Sequence, residues 1–185
     1  GTVVVKVLRD DAARHYDRFV REARVLAELR HPGVVRYVAH GATPEGAWIA
    51  MEWLDGEDLA ARLARAGLTV AESVVLVGRV AAALAEVHAR GVIHRDLKPR
   101  NLFLPGGDPR RVKVLDFGIA RWDAAGVTLT GVGVTLGTPG YMAPEQVRGD
   151  RALRPAVDVF ALGCVWYECL VGRSPFHSES AVARL

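Results

Sequence analysis

Three short polar segments, in a fixed order along the chain, constrain the fold more than any other feature of the sequence. The first is HRDLKPRN at residues 94–101, which follows an alanine-rich helical segment and precedes a short apolar strand. The second is DFG at residues 116–118, and the third is APE at residues 143–145. DFG alone could be an ordinary turn, but three such segments in this order and at this spacing indicate one shared site.

These segments resemble three landmarks of protein kinases: the catalytic loop, the metal-binding step and the end of the activation loop. VVVK at residues 3–6 resembles the strand that carries the nucleotide lysine, with Val4 where the family usually has alanine. The resemblance to bacterial Ser/Thr kinases of the eukaryotic type covers essentially all 185 residues. It implies an α+β fold with two lobes, a small one of mixed strands and helix and a larger, mainly helical one.

The hydrophobic pattern predicts the same two-lobed layout. A β-branched strand, an amphipathic helix and two further strands precede a short Leu-Asp-Gly linker, and mostly helical segments follow it. We expect residues 1–185 to be a partial kinase domain: residues 1–54 a small lobe without the strands of the glycine-rich loop, and residues 55–185 a helical lobe without its last helices. The predicted helices are 10–29, 57–66, 70–90 and 156–171, the predicted strands are 2–8, 34–40, 47–53, 102–104 and 112–115, and the predicted long loop is 119–140.

The charge, hydropathy and cysteine content of the chain limit the binding partners and the cellular location that we expect for it. The net charge of +3 comes from scattered arginines without interleaved aromatic residues, so we expect no nucleic-acid partner. No apolar run approaches the roughly 20 residues that span a bilayer, so we expect no membrane segment in residues 1–185. Cys164 and Cys169 read as reduced core residues of a cytoplasmic protein, any membrane tether lying outside the chain. Dimerisation through the missing part of the small lobe is a further expectation.

The resemblance implies that ATP is the phosphoryl donor and that Mg²⁺ accompanies it. Phosphoryl transfer needs positioning and neutralisation of charge more than covalent catalysis, so a lysine and metal ions must offset the triphosphate. Lys6 is expected to contact the α- and β-phosphates, and Glu22 on the following helix is expected to hold its ammonium group. Glu28 is the competing choice for that role. Asp116 and Asn101 carry the hard oxygen ligands that Mg²⁺ prefers and are expected to bind it.

Further residues are expected, by the same resemblance, to act at the reacting hydroxyl. Asp96 would accept the proton of the substrate hydroxyl and orient it, and Lys98 would neutralise charge on the moving phosphoryl group. The Lys98-Pro99 step points to Ser/Thr substrates, because tyrosine-specific relatives usually have Arg or Ala nearby. Thr138 matches the threonine that bonds to the catalytic loop in Ser/Thr kinases, although a turn-forming threonine is the alternative.

The nucleotide base is expected at the junction of the two lobes. By resemblance, Met51 is the gatekeeper, the backbone of the linker meets the adenine ring, two apolar side chains sandwich the ring and one carboxylate bonds to the ribose. Core packing alone would also account for Met51 and for the aromatic member of the apolar pair. The linker residues are Glu52 and Leu54, the apolar pair is Val4 and Phe103, and the carboxylate is Asp58.

A regulatory contact is expected beside the catalytic aspartate. Arg95 would dock a phosphate carried by the predicted long loop and so order that loop. Thr128 and Thr130 are the best candidates for this autophosphorylation, and Thr135 is a weaker one. Asp158 resembles the buried helix aspartate that anchors the catalytic-loop backbone, and the alternative for this residue is a helix N-cap.

Three functions compete for this sequence. The first is ATP-dependent phosphorylation of Ser/Thr hydroxyls on protein substrates, with autophosphorylation of the activation loop. The second is a binding module of the pseudokinase type, against which the intact set of Lys6, Asp96, Asn101 and Asp116 argues. The third is a kinase-fold phosphotransferase that acts on a small molecule, but such enzymes usually lack the Ala-Pro-Glu segment that is present here.

Overall fold

The small lobe is built on an antiparallel sheet with the strand order β1–β3–β2. The structure is a computed structural model that describes residues 1–8, 20, 23–43, 46–117, 140–150 and 152–176. In it, β1 spans Val3–Leu8, β2 spans Tyr37–Thr43 and β3 spans Gly46–Glu52, close to the predicted strands. The register sets Val4 opposite Met51, so the strand that carries the predicted nucleotide lysine runs beside the start of the lobe linker.

The helix of the small lobe, α1, is described at residues 23–28, inside the predicted helix 10–29. It packs on the sheet through apolar residues on one stripe, since Ala23 and Leu26 are each 1% exposed. After the helix, the backbone N–H of Gly33 donates to His31 Nδ1 at 3.1 Å, which closes the turn that the His-Pro-Gly step predicts.

The two lobes are joined by backbone hydrogen bonds as well as by the linker. Val34 forms a parallel bridge with Val114, and the Val35 N–H donates to the Val114 carbonyl at 3.0 Å. These bonds explain why β2 begins at Tyr37 rather than at residue 34 as predicted. Residues 34 and 35 pair with the large lobe instead of extending the sheet.

The linker leads into a strand rather than directly into a helix, which corrects the predicted helix 57–66. β4 (Gly56–Asp58) pairs antiparallel with β5 (Leu102–Pro105) in a second sheet. Gly56 has φ +144°, and a Cβ at this position would lie 2.2 Å from the Leu104 carbonyl oxygen. Only glycine can follow this path, because any side chain would meet the backbone of the neighbouring strand.

The large lobe is mainly helical, as predicted. The helix after β4 begins only at Leu59, because Asp58 Oδ1 accepts a hydrogen bond from Ala61 N–H at 2.9 Å and acts as its N-cap. The remaining elements are α2 (Leu59–Arg65), α3 (Val70–His88), 3₁₀ turns at Pro99–Asn101 and Pro109–Arg111, β6 (Lys113–Val114), α4 (Pro144–Val147) and α5 (Ala156–Val171).

One apolar core runs through both lobes. It joins Leu26 and Ile49 of the small lobe to three residues of the large lobe: Leu76 in α3, Phe117 after β6, and Val165 in α5. The two cysteines of α5 are buried and free, and burial raises the pKa of the Cys164 thiol to about 11. Among the described helices, none combines the length and the hydropathy needed to cross a bilayer.

Candidate active site

A buried carboxylate anchors the backbone at the start of the catalytic loop. Asp158, in the first turn of α5, is 1% exposed and accepts hydrogen bonds from the backbone N–H groups of His94 and Arg95, each 2.8 Å long. His88 Nε2, at the end of α3, lies 2.7 Å from the same carboxylate. The N-cap of α5 is Pro155, so the alternative prediction of an N-cap role for Asp158 is wrong and the anchoring role is confirmed.

His94 is a buried, neutral side chain that links the catalytic loop to the segment before Asp116. Its Nε2 lies 2.8 Å from the carbonyl oxygen of Leu115, and the backbone N–H of Asp96 donates to its Nδ1 at 3.3 Å. The proton therefore sits on Nε2, and the ring packs against Phe117 with centroids 4.9 Å apart. Burial lowers the pKa of His94, although nearby carboxylates oppose the shift.

Three of the predicted catalytic residues meet around one carboxylate. Lys98 Nζ lies 2.9 Å from Asp96 Oδ2, and both side chains are only 18% exposed. Asn101 Nδ2 donates to the Asp96 carbonyl oxygen at 2.7 Å, which fixes the backbone of the aspartate as well as its side chain. Because the pair is partly removed from water, the attraction between Lys98 and Asp96 is stronger than that of a fully solvated pair.

The predicted phosphate and metal residues meet on the side of the site nearest β1. Lys6 Nζ lies 2.9 Å from Asp116 Oδ1, with side-chain exposures of 44% and 36%. Asp116 has φ +49°, a conformation that few residues other than glycine adopt. Glu28 is exposed, and among the described residues no ion pair joins it to Lys6, which argues against this competing partner. Glu22, the preferred partner, lies outside the described residues.

The donor set fits a magnesium ion that is shared with a nucleotide. The Nδ2 atom of Asn101 is engaged with Asp96, so Oδ1 is the atom left to face a cation, alongside the carboxylate of Asp116. In the part of the chain that the structure describes, no cluster of three His, Cys, Asp or Glu side chains could hold a metal alone. Mg²⁺ is usually bound by one or two carboxylates together with substrate phosphates, and these two residues match that pattern.

Four of the residues predicted to contact the base and the ribose form two cross-strand pairs, one in each sheet. Val4 lies opposite Met51 in the β1–β3 register, and Phe103 lies opposite Asp58 in the β4–β5 register. Met51 is 8% exposed, so it belongs to the core as well as to the edge of the cleft. Asp58 uses Oδ1 as the cap of α2, and a ribose contact would therefore involve Oδ2.

The linker is held by the side chain of Glu52, ahead of Leu54. Glu52 Oε1 accepts from the backbone N–H of Arg36 at 2.9 Å and from Lys113 Nζ at 2.5 Å. Burial raises the pKa of Glu52, but the bonds from Lys113 and Arg36 outweigh it and lower the pKa overall. The carboxylate therefore ties the linker to both lobes. The backbone N–H of Glu52 donates to the Arg36 carbonyl at 3.0 Å, so this N–H is not available for the predicted contact with adenine.

Tyr37 is a site residue that the sequence did not reveal. It lies in β2, is 5% exposed and accepts a backbone hydrogen bond from Phe117 on its hydroxyl. Burial, followed by the charge of Asp116, raises the pKa of this phenol. The hydroxyl thus holds the step that carries Asp116. In the sequence, this residue is one apolar position of a strand, where Tyr and Phe look alike.

Gln146 is a second residue that the sequence did not reveal. Its Nε2 donates to the carbonyl oxygen of Arg95 at 2.9 Å, which ties α4 to the catalytic loop. Arg95 has φ +66°, and the bonds from Gln146 and to Asp158 hold it in this strained conformation. Thr138, Thr128, Thr130 and Thr135 lie outside the described residues.

Comparison with known proteins agrees with this geometry. The family model described as protein kinase domain matches residues 1–184. The Ser/Thr-protein kinase pkn3 of Myxococcus xanthus is 42% identical over 97% of this chain and 35% of its own length. PknJ of Mycobacterium tuberculosis is also 42% identical, over 97% of this chain and 31% of its own length. The chain thus spans about a third of the length of these curated relatives.

Solved structures agree as well. The kinase domain of Mycobacterium tuberculosis PknI, solved as a point mutant, superimposes with a TM-score of 0.76 and 32% identity over 97% of this chain and 67% of that chain. Rad53 1–466 in complex with AMP-PNP gives a TM-score of 0.76 and 29% identity over 97% of this chain and 44% of that chain. The expected two-lobed kinase fold is confirmed, and the chain belongs to the protein kinase domain family, among the Ser/Thr protein kinases.

Proposed function

We propose that this chain carries the centre that transfers the γ-phosphoryl group of ATP to Ser and Thr hydroxyls of protein substrates. One observation carries the proposal: Asp96, Lys98 and Asn101 meet within hydrogen-bond distance on the backbone that Asp158 anchors. That arrangement holds an acceptor for a hydroxyl proton beside a cation that can face a phosphoryl group.

Asp96 orients the substrate hydroxyl and accepts its proton as the oxygen attacks the γ-phosphorus, and the bond from the γ-phosphorus to the β-phosphate oxygen breaks, so that ADP leaves. Lys98 and Asn101 hold its carboxylate and carbonyl, so little reorganisation is needed when substrate arrives. The Lys98 ammonium offsets negative charge on the moving group. When both reactants are held in place, a bimolecular reaction becomes effectively unimolecular, and much of the rate enhancement comes from this positioning.

Lys6 and Asp116 form the nucleotide half of the site. In this ion pair the Lys6 ammonium lies beside Asp116, the proposed metal ligand. From there it can approach the α- and β-phosphates. When bound, Mg²⁺ would neutralise charge on the β- and γ-phosphates, with Asp116 and Asn101 as its protein ligands. The Rad53 structure was solved with AMP-PNP, which supports a nucleoside triphosphate as the donor here.

Protein rather than small-molecule substrates are favoured by the segment around residues 140–147. It carries the Ala-Pro-Glu sequence and forms α4, and Gln146 connects it to Arg95 in the catalytic loop. A surface attached in this way can position a peptide beside Asp96. The curated relatives are named as Ser/Thr-protein kinases, which supports the same substrate class.

Activation by phosphorylation of Thr128 or Thr130 is part of the proposal. The backbone of Arg95, the residue before Asp96, is fixed by Asp158 and Gln146, so the side chain that would dock the phosphate extends from a fixed point of the catalytic loop. Mass spectrometry of active protein should find phosphate on Thr128 or Thr130 in preference to Thr135. Changing both residues to Ala should lower activity on a protein substrate and leave ATP binding nearly intact. Full activity of the double variant would overturn this part.

The central test uses the intact protein with labelled ATP and Mg²⁺. Wild type should label Ser and Thr peptides, and Asp96→Asn should lower the rate at least about 100-fold. Asp150→Asn, which makes the same change at an exposed position, should match wild type. Wild-type turnover by Asp96→Asn would refute the assignment of the reacting centre. Labelling of a small molecule but of no peptide would favour the phosphotransferase alternative.

A further inference from the structure

A groove of about 500 Å³ lies beside the lobe linker, outside the catalytic residues. It shares Glu52 and Leu54 with the predicted nucleotide site but includes none of the residues that meet around Asp96 and Asp116. Its walls come from the turn after α1, from α3 and from the segment between β5 and β6. Apart from these two linker residues, the lining of the groove lies outside the predicted nucleotide site.

The groove is strongly cationic. Four basic side chains line it: Arg79 of α3, Arg110 and Arg111 of the 3₁₀ turn, and Lys113 of β6. The carboxylate in the lining is Glu52, which Lys113 already pairs with at 2.5 Å.

The nearest further carboxylate is outside the lining and is also engaged. Asp108 pairs with Arg110 at 3.0 Å. Within the described residues, Arg79 and Arg111 have no ion pair, and both are exposed. Arg79 thus has no charge partner among the described residues, and Arg111 shares the carboxylate of Asp108 with Arg110, so the groove keeps an excess of positive charge.

The shape of the groove favours a peptide over other anions. The lining also includes the accessible apolar residues Pro32 and Leu54, so an acidic segment with an apolar residue would match both features. The arginines stand at the exposed rim, and the Arg110 side chain is 74% exposed, whereas a small phosphate ligand requires enclosure. None of the described residues that line the groove is aromatic, so it lacks the stacking surface typical of single-stranded nucleic acid sites.

We propose that this groove is a docking site for an acidic segment of the protein substrate, separate from the residues that are phosphorylated. The inference rests on the proposed function, since it assigns a substrate feature to the same enzyme. Docking outside the cleft raises the effective concentration of the acceptor hydroxyl near Asp96. It therefore lowers KM for substrates that carry the segment and leaves kcat unchanged.

The kinetic test compares two peptides with the same Ser acceptor on the intact protein. One carries a flexible linker and a segment of glutamates with one leucine, and the other carries glutamines in place of the glutamates. The acidic segment should lower KM about tenfold at low salt, and added salt should reduce the difference. The double variant Arg79→Glu with Arg111→Glu should remove the difference while its kinetics on the glutamine peptide stay at wild-type values.

The matched control changes the same charges elsewhere. Arg24→Glu with Arg65→Glu reverses two arginines that do not line the groove, and it should keep the preference for the acidic peptide. If the charge reversal in the groove lowers the melting temperature, the milder pair Arg79→Gln with Arg111→Gln takes its place. Loss of the preference in the control as well as in the groove variant would overturn the assignment, because net charge alone would then explain the effect.

A direct binding measurement separates this inference from the proposed function. Fluorescence anisotropy of the labelled acidic segment alone, without an acceptor serine, reports docking whether or not phosphate is transferred. Binding that is lost in the groove variant supports docking even if no peptide is phosphorylated. Phosphorylation of both peptides with equal KM and no anisotropy change refutes docking and leaves the kinase assignment intact. Tighter binding of inorganic polyphosphate or of single-stranded RNA than of the acidic segment would also overturn the peptide assignment.

Discussion

The catalytic loop and the Lys6 strand supply the two halves of one site, but the fold holds them in different ways. The loop is fixed by bonds to buried groups, because Asp158 is 1% exposed and His94 is fully enclosed. The lysine strand contributes one ion pair to Asp116, and both partners are more than a third exposed. β1 is also an edge strand of the described sheet, and its Val5 and Val7 are 54% and 51% exposed.

Because the two halves differ in burial, they contribute differently to the stability of the site. Buried polar groups with satisfied partners stabilise a single backbone arrangement, and losing one partner is costly. An exposed ion pair stabilises little, but it can be exchanged for contacts to a charged ligand without a large penalty. Under the proposed function, the loop half would act as a preformed acceptor site, and the lysine half would remain able to respond to the nucleotide.

The largest expected effect is on the anchored half. Asp158→Ala leaves two buried backbone N–H groups without their acceptor and should lower the free energy of unfolding by about 3–5 kcal/mol. Chemical denaturation of the intact protein measures this change. Asp150→Ala, which removes an exposed pair with Arg148, is the control and should change stability little. Equal losses for the two variants would mean that burial does not distinguish the halves.

The anchored half should also make the free energy of unfolding depend on pH. Because the pKa of His94 is lowered in the fold, the unfolded chain binds the proton more readily. Stability should therefore be highest above the ordinary histidine pKa of about 6.5, and fall as the pH drops below it, by at most about 1.4 kcal/mol per pH unit. Denaturation at several pH values should show a smaller acid loss in His94→Phe than in wild type. Identical slopes would contradict the assignment of this loss to His94.

Tyr37→Phe tests the bond that holds the step next to Asp116, the partner of Lys6. Loss of the hydroxyl leaves the Phe117 N–H without its acceptor and should cost about 1–2 kcal/mol of stability. It should also weaken Mg²⁺-dependent binding of ATP, since Tyr37 holds the step that carries Asp116. Calorimetric titration with and without Mg²⁺ measures that change. Tyr167→Phe, at an exposed tyrosine, should alter neither quantity.

The smallest effect on stability should come from the residue with one of the largest expected effects on activity. Lys6→Met removes a pair whose side chains are 44% and 36% exposed, and it should change the free energy of unfolding by less than about 1 kcal/mol. Phosphate transfer should nevertheless be abolished, because the triphosphate loses its cation. A stability loss of several kcal/mol would show that the lysine half is as structural as the loop half.

The sequence by itself determined the family, the fold class and most of the elements. Helices α3 and α5 were predicted within two residues at each end, because long apolar periods and clear stop signals leave few alternatives. The residues of the catalytic loop could be named because their order and spacing are set by the chemistry of phosphoryl transfer. Asp96, Lys98 and Asn101 lie together within this one segment.

Only the tertiary structure decided the contacts between segments that are distant along the chain. Residues 57 and 58 of the strand Gly56–Asp58 were predicted as helix, and Gly56 as linker, because the pairing partner of the strand lies more than forty residues later and no local pattern reports it. The roles of Tyr37 and Gln146 were missed for the same reason, since their hydrogen bonds reach Phe117 and Arg95 across the fold. Periodicity records which residues are apolar, whereas a hydrogen bond between remote segments depends on the packing that brings its donor and its acceptor together.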